Sequence, residues 1–228
     1  DADLMKIPAE IFKAYDIRGI VGQTLTEPLV EQIGWAIGDT AIAAGDDAVI
    51  IGWDGRPSGP GLANALATGI QSAGCHAVKI GMVPTPLTYF ASHYLNIGSA
   101  VSVTGSHNPP QYNGLKIVIA GRTLAGQEIQ DLRHHIRSRR DAEQPGDLSM
   151  ESVTNAYIDR VSSDIKIARP LRIAMDSGNG VAGMIAPSLY RQFGCEVIEL
   201  YSEVDGNFPN HHPDPSQPEN LQDLKEAV

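Results

Sequence analysis

The sequence has few of the residues that build disulfide scaffolds, metal clusters or membrane spans. Its 228 residues include two cysteines, Cys75 and Cys195, whose positions show no metal-ligand spacing. Each cysteine begins a short apolar segment, so we predict two buried thiols. No apolar run approaches the ~20 residues of a membrane-spanning helix, and the charged N-terminal stretch is unlike a signal peptide. These absences favour a cytoplasmic protein that does not bind a membrane.

Basic residues are also scarce. Seventeen Lys and Arg stand against 27 Asp and Glu, which gives a formal net charge of −10. An acidic surface argues against a nucleic-acid partner. The one dense basic run, residues 133–140, has the pattern of the solvated end of a helix. An anionic ligand would therefore have to be bound by locally concentrated positive groups.

The first half of the chain predicts a helix followed by a strand–helix–strand unit. Thr26 suits the N-cap position and Pro28 is tolerated in the first turn of a helix that ends at Gly45. An apolar strand, a glycine-rich loop over residues 54–59, a helix ending at Gly74 and a second strand follow. Units of this kind usually form parallel sheet.

The same order of strand, Asp, glycine-rich loop, helix, Gly-Cys and strand returns over residues 171–200. The polar residues 139–147 separate the two units and indicate a linker. We therefore predict two α/β domains, residues 1–147 and 148–228, with mixed, mostly parallel sheets flanked by helices. Too little chain follows the second unit to complete a sheet like the first. We expect an incomplete second domain and a truncated chain.

The clearest chemical signal is the run Thr104-Gly105-Ser106-His107-Asn108-Pro109-Pro110. An apolar segment leads into a turn of small residues that presents the hydroxyl of Ser106, and Lys116 follows shortly after. A serine that is exposed, close to backbone N–H groups and near a cation suits a group that carries or transfers phosphate. An ordinary Asn-Pro turn between two strands is the alternative.

Six segments of the chain together resemble the α-D-phosphohexomutase family, and within it the phosphomannomutase/phosphoglucomutase branch. They occur in the family's order. Gly105, directly before the serine, resembles the glycine that the glucose and mannose branch has at this position. The segments are residues 12–19, 53–56, 84–86, 104–110, 113–116 and 176–180. The resemblance implies the first domain and part of the second domain of a multi-domain enzyme.

The resemblance implies an isomerase that interconverts hexose 1-phosphate and hexose 6-phosphate of glucose or mannose. Ser106 would carry the phosphoryl group, and glucose 1,6-bisphosphate would serve as intermediate and activator. Mg²⁺ is implied as cofactor, with Ser106 or its phosphate as the sole metal ligand here, because the family's Asp-rich metal loop is absent. The later sugar-recognition and phosphate-binding loops are also absent. We therefore expect that this chain cannot turn over alone.

Four more site residues are implied, each with a structural alternative. Arg18 would lie beside the phosphoserine, or form an ion pair with Asp16. Lys116 would act as general acid and base on the sugar hydroxyl, or be a solvated lysine at a strand end. His107 would bind the phosphate or brace the loop. Tyr15 would line the phosphosugar entrance or pack as an ordinary tyrosine.

The remaining polar residues of these motifs are predicted to support the serine loop. Asp54 and Arg56 would brace it as a pair, and Asn108 and Asn113 would hold its shape. The turn at residues 176–180 is predicted to connect a strand to a helix outside the site.

Two rival functions use the same residues. One is a non-catalytic phosphosugar or anion-binding module, and the other is a serine-based phosphomonoesterase. The expected partners are small-molecule phosphosugars. The expected assembly is a monomer, or association with the missing C-terminal domains.

Overall fold

The computed structural model describes residues 6–228, and within that range the chain forms nine strands and seven α-helices. The strands are β1 (Ile17–Ile20), β2 (Ala48–Trp53), β3 (His76–Met82), β4 (Ala100–Val103), β5 (Tyr112–Ile119), β6 (Arg122–Thr123), β7 (Leu148–Met150), β8 (Arg172–Asp176) and β9 (Glu196–Leu200). The helices are α1 (Glu27–Ala43), α2 (Gly59–Ser72), α3 (Thr85–Tyr94), α4 (Gln127–His135), α5 (Thr154–Asp164), α6 (Ala186–Gln192) and α7 (Gln222–Glu226).

The larger sheet has the strand order β1-β5-β4-β2-β3-β7, with β6 paired to β5. β2 pairs in parallel with β3 and β4, and β3 pairs in parallel with β7. β5 runs antiparallel to β1 and β4 and so reverses the direction at one side. Crossover helices cover the central strands, and five of the six residues of β2 are buried. The predicted mixed α/β fold is confirmed.

The smaller sheet consists of β8 and β9, which pair in parallel around the crossover that contains α6. The predicted repeat is therefore present: both units place a helix between two parallel strands. Their surroundings differ. Among residues 6–228, β9 is the only strand paired with β8, and none of the five residues of β8 is buried.

Local signals place the helix ends close to where the sequence predicts them. The Thr26 hydroxyl accepts a hydrogen bond from the Leu29 N–H at 3.3 Å and caps α1. Gly45 and Gly74 have φ angles of +96° and +85° just after α1 and α2. The two helices approach so closely that a Cβ at Gly69 would lie 1.9 Å from a backbone carbonyl oxygen of α1.

The segment predicted as a linker is hydrogen-bonded to the first unit. The Trp35 indole N–H donates to the Arg140 carbonyl oxygen at 3.1 Å, and the Ala142 N–H donates to the Ser72 carbonyl oxygen at 2.8 Å. β7 then joins the larger sheet, so residues 148–150 belong to that sheet although the sequence predicts them in the second domain. Val153 follows in an apolar cluster that includes both Leu87 and residues of the second unit.

Both cysteines are buried free thiols, as predicted. Cys75 is 0% exposed and Cys195 is 7% exposed. Burial, aided by the nearby Asp47 and Asp46 carboxylates, raises the pKa of the Cys75 thiol to about 12. Among the helices of residues 6–228, none combines the length and the apolar character that crossing a bilayer requires.

Candidate active site

Ser106 lies in the turn that joins β4 to β5, with its side chain at the surface. Its φ of +54° is in the left-handed region, which is uncommon for a residue other than glycine. The Ser106 N–H donates to the Thr104 hydroxyl oxygen at 3.0 Å, and the Gly105 N–H donates to Asp54 Oδ2 at 3.3 Å. These contacts hold the backbone while the serine hydroxyl projects outward.

The Asp54 carboxylate, at the end of β2, ties the turn to the sheet. Its Oδ1 accepts from the Arg56 N–H at 3.0 Å, and its Oδ2 accepts from the Thr104 hydroxyl at 2.8 Å. Parallel strands β2 and β4 end at the same edge of the sheet, which brings the two loops together. The predicted pair is confirmed, since Arg56 Nε also lies 3.3 Å from Asp54 Oδ2.

The Arg56 guanidinium is the centre of the serine loop and is 2% exposed. Each of its five N–H donors has an acceptor. Besides the Asp54 carboxylate, the acceptors are the carbonyl oxygens of Ser106 (3.0 Å), Asn108 (2.8 Å), Pro109 (2.6 Å) and Tyr112 (2.9 Å). Burial lowers the pKa of Arg56, and the Asp54 charge acts in the opposite direction. A Cβ at Gly105 would lie 2.3 Å from Arg56 Cζ, so glycine lets the loop lie close against the guanidinium.

Arg18, on β1, forms the predicted ion pair with Asp16 and also contacts the serine loop. Its Nη2 forms an ion pair with Asp16 Oδ2 at 2.5 Å, while its Nη1 donates to the Asn108 side-chain oxygen in the serine loop at 2.8 Å. Within the described residues the buried Arg18 Nε has no hydrogen-bond partner. An unpaired donor on a fixed cation is suited to binding an anion.

An open cleft of about 710 Å³ lies beside the serine loop. Arg18, Asn108 and Lys116 line it, and so does Tyr15, which is 79% exposed and is therefore not packed in the core. His107 is also exposed, and its Nδ1 lies 3.3 Å from the Ser106 hydroxyl oxygen. Asn113 is fully buried and its side chain donates to the Ser58 hydroxyl at 2.9 Å, so its role in the shape of the serine loop stays a prediction.

The described residues do not complete a Mg²⁺ site. Mg²⁺ prefers several oxygen ligands, usually including carboxylates. Within residues 6–228 no group of three or more His, Cys, Asp or Glu side chains could hold a metal ion. The nearest carboxylate to the serine turn, Asp54, is already bonded to the Arg56, Thr104 and Gly105 donors.

Comparisons with known proteins show the family of the chain. The family model "Phosphoglucomutase/phosphomannomutase, alpha/beta/alpha domain I" matches residues 9–143, and the model for domain II matches residues 154–228. The chain belongs to the phosphoglucomutase/phosphomannomutase family.

Named relatives of this family show the same likeness. The chain is 51% identical over 218 residues to the phosphomannomutase/phosphoglucomutase of Pseudomonas aeruginosa, covering 96% of this chain and 47% of the relative. It is 48% identical over 227 residues to a phosphoglucomutase of Neisseria gonorrhoeae, covering 99% of this chain and 49% of the relative. The chain thus spans about half the length of the curated relatives it matches.

A crystal structure from Burkholderia thailandensis, described as a phosphoglucomutase/phosphomannomutase family protein, has the same fold. The match has a TM-score of 0.93 and 47% sequence identity, and it covers 97% of this chain and 50% of the other.

One residue against the serine loop of this family member was not predicted. Arg56 Cζ lies over the Phe208 ring, 5.2 Å from its centroid. Phe208 comes from the part of the chain that matches domain II. The sequence Val204-Asp205-Gly206-Asn207-Phe208 indicates a turn, but no local pattern connects this turn with Arg56, which lies far earlier in the chain.

Proposed function

We propose that this family member is a phosphohexomutase that interconverts hexose 1-phosphate and hexose 6-phosphate of glucose or mannose through a phosphoserine at Ser106. The observation that carries the proposal is an exposed serine on a loop held by a buried arginine, beside a cleft that Asn108 of this loop lines together with Arg18 and Lys116. Phosphoryl transfer depends chiefly on positioning and on neutralising charge on the phosphoryl oxygens, which this arrangement can supply.

The proposed step moves one phosphoryl group. The bond between the Ser106 oxygen and phosphorus breaks, and a new bond forms between phosphorus and the free hydroxyl oxygen of a hexose monophosphate. The sugar hydroxyl loses a proton and the serine oxygen gains one. The product is a bisphosphorylated hexose, which returns its other phosphate to Ser106 and leaves as the isomeric monophosphate.

The cleft residues have separate roles in this proposal. Arg18 is a fixed counter-charge for the phosphate, since a guanidinium does not deprotonate. Lys116 exchanges the proton of the sugar hydroxyl as general base and acid. His107 bonds the phosphate on Ser106, and Tyr15 lines the entrance for the phosphosugar.

Mg²⁺ and glucose 1,6-bisphosphate complete the proposal. A bound Mg²⁺ would offset negative charge on the transferring group, with a phosphoserine oxygen as one ligand. Within residues 6–228 no group of three or more His, Cys, Asp or Glu side chains is placed to supply its remaining ligands. For that reason we expect no net turnover by this chain alone, and we retain a cytoplasmic location as a prediction.

Phosphoryl labelling tests the proposal. This chain and the Pseudomonas aeruginosa relative, as positive control, are incubated with labelled glucose 1,6-bisphosphate and Mg²⁺, and the label is located by peptide mass. We expect label on Ser106, none on the Ser106→Ala variant, and undiminished label on Ser138→Ala, which removes an exposed serine outside the cleft.

Other outcomes would favour the rival functions. If the relative is labelled and this chain is not, Ser106 is not a competent phosphoryl acceptor here. Calorimetry with glucose 6-phosphate then tests the anion-binding module, which should keep its affinity in the Ser106→Ala variant. Continuous release of inorganic phosphate would favour the phosphomonoesterase.

A further inference from the structure

The Phe208 loop (residues 204–208) belongs to the second unit, which here means the whole of residues 154–228 that match domain II. It lies against Arg56, the residue that braces the serine loop. Arg56 Cζ is 5.2 Å from the centroid of the Phe208 ring, within the range of a cation–π contact. This contact is long-range in sequence and joins the two units at the residue that organises the serine loop.

Only the faces of the Arg56 guanidinium are available to a further partner. All five of its N–H donors are already bonded to carbonyl or carboxylate oxygens of the first unit. An aromatic ring attracts a cation through its face and needs no donor. Phe208 can therefore hold Arg56 in place without competing for the hydrogen bonds that shape the serine loop.

The backbone of the Phe208 loop is packed closely against the loop that carries Arg56. A Cβ at Gly55 would lie 2.4 Å from Val204 Cγ1, and a Cβ at Gly206 would lie 2.3 Å from Pro57 Cδ. Phe208 itself has a φ of +50°, an unusual conformation for an aromatic residue. A bulky residue keeps such a conformation when its surroundings fix it.

The second unit fixes the Phe208 loop from the other side. Asn179 is 5% exposed, and its side chain donates to the Glu203 carbonyl oxygen at 2.9 Å and accepts from the Asn210 side chain at 2.8 Å. The Asn179 carbonyl oxygen also accepts from the Asp205 N–H at 3.0 Å. The turn at residues 176–180, which the sequence places outside the site, thus holds the segment that reaches the serine loop.

We propose that Phe208 is a positioning residue for phosphoryl transfer: it keeps Arg56, and through Arg56 the Ser106 turn, in the geometry that presents the serine hydroxyl. This inference rests on the proposed function. It assigns the second unit a role in the chemistry of the first unit that Phe208 performs without touching Ser106 or the sugar.

Hydrogen exchange of the serine-loop amides tests the inference independently of activity. Phe208→Leu keeps an apolar side chain but removes the aromatic face, and Phe208→Tyr keeps that face. Phe193→Leu is the matched control, because Phe193 pairs with Tyr190 in the second unit. In Phe208→Leu we expect the Gly105, Ser106 and Asn108 amides to exchange about tenfold faster, with unchanged exchange in β2. Phe208→Tyr should restore protection, and Phe193→Leu should not affect these amides.

A second measurement is the rate of Ser106 labelling at saturating glucose 1,6-bisphosphate. Slower labelling in Phe208→Leu, with recovery in Phe208→Tyr, supports the inference. Unchanged loop exchange in Phe208→Leu overturns it, as does labelling at the wild-type rate. If the wild type is not labelled at all, the proposed function fails, and the exchange rates alone then decide whether Phe208 holds the serine loop.

Discussion

Two aspartate turns in this molecule have the same local design and different strengths. Asp54 follows β2 and accepts the N–H two residues later at 3.0 Å, while its other oxygen faces the Arg56 guanidinium. Asp176 ends β8 and accepts the Gly178 N–H at 2.8 Å, while its other oxygen faces the His211 ring at 2.7 Å. Each carboxylate closes a turn with one oxygen and contacts a basic side chain with the other.

The cations in the two turns respond differently to pH. Arginine keeps its charge at any ordinary pH, whereas histidine can lose its charge near neutrality. Both ring nitrogens of His211 face acceptors, Asp176 Oδ2 and the His212 carbonyl oxygen, which is the bonding pattern of a protonated imidazole. Burial lowers the pKa of His211, but the His212 carbonyl and the Asp176 carboxylate outweigh it and raise the pKa.

The sheets around the two turns differ as well. The strand before Asp54 has a parallel neighbour on each side, whereas β8 is paired with β9 alone. An isolated pair of strands contributes little stability of its own. The same local design therefore uses a permanently charged arginine in the Asp54 turn and a titratable histidine in the Asp176 turn.

Replacing Arg56 in the Asp54 turn should have the largest effect on the free energy of unfolding. Arg56→Met leaves the Asp54 carboxylate and four carbonyl oxygens without their common donor, so we expect a loss of about 3–5 kcal/mol in the free energy of unfolding in urea. Arg137→Met, at an exposed position, should change stability by less than about 0.5 kcal/mol. A small loss in Arg56→Met would show that the loop finds other partners without the guanidinium.

The modification rates of the two buried thiols measure how readily each unit opens, because Cys75 lies in the first unit and Cys195 in the second. At urea concentrations well below the global transition, we expect iodoacetamide to modify Cys195 about tenfold faster than Cys75, because the two-stranded unit opens at lower free energy. Each rate can be followed separately in Cys75→Ala and Cys195→Ala variants by peptide mass. Equal rates in both variants would mean that the units unfold together, which would contradict the difference in strength.

Raising the pH should weaken the Asp176 turn, with the smallest expected effect on the free energy of unfolding. Because the folded pKa of His211 lies above its unfolded value of about 6.5, its ion pair contributes fully below that value and is lost as pH rises through the folded pKa. We expect His211→Asn to lower stability by about 1 kcal/mol at pH 5.5 and by less at pH 9. Melting curves across this range are the measurement. As a control, His212→Asn, at the exposed neighbouring position, should change stability by less than about 0.5 kcal/mol. A loss in His211→Asn that does not vary with pH would contradict the assignment.

Periodic and capping signals were sufficient to predict the elements of the fold. Thr26, the apolar run of β2, and the glycines after α1 and α2 act through local chemistry, which the sequence displays directly. The edge strand β7 was missed because Leu148, Ser149 and Met150 form a strand of only three residues, which is too short to show a periodic pattern. Its place in the sheet comes from parallel pairing with β3, a tertiary contact.

The candidate site was predictable where its residues lie in recognisable motifs and not where contacts cross between units. The sequence predicts that Asp54 and Arg56 form a pair that braces the serine loop. It does not predict the four carbonyl oxygens that converge on Arg56, because these depend on how the chain turns between residues 106 and 112. Phe208 has no such motif, and only the folded chain brings its ring to the guanidinium. The catalytic roles of Ser106 and Lys116 stay predictions.

The left-handed backbone at Ser106 also restricts which hydroxyl-bearing side chain this loop can carry. Threonine has the same hydroxyl chemistry, but its branched Cβ makes a φ near +54° a severe outlier. Serine has a single γ atom, its hydroxyl oxygen, and adopts that backbone conformation at a lower cost in free energy. The backbone conformation of the turn therefore favours serine over threonine, although their hydroxyl groups are nearly equal in reactivity.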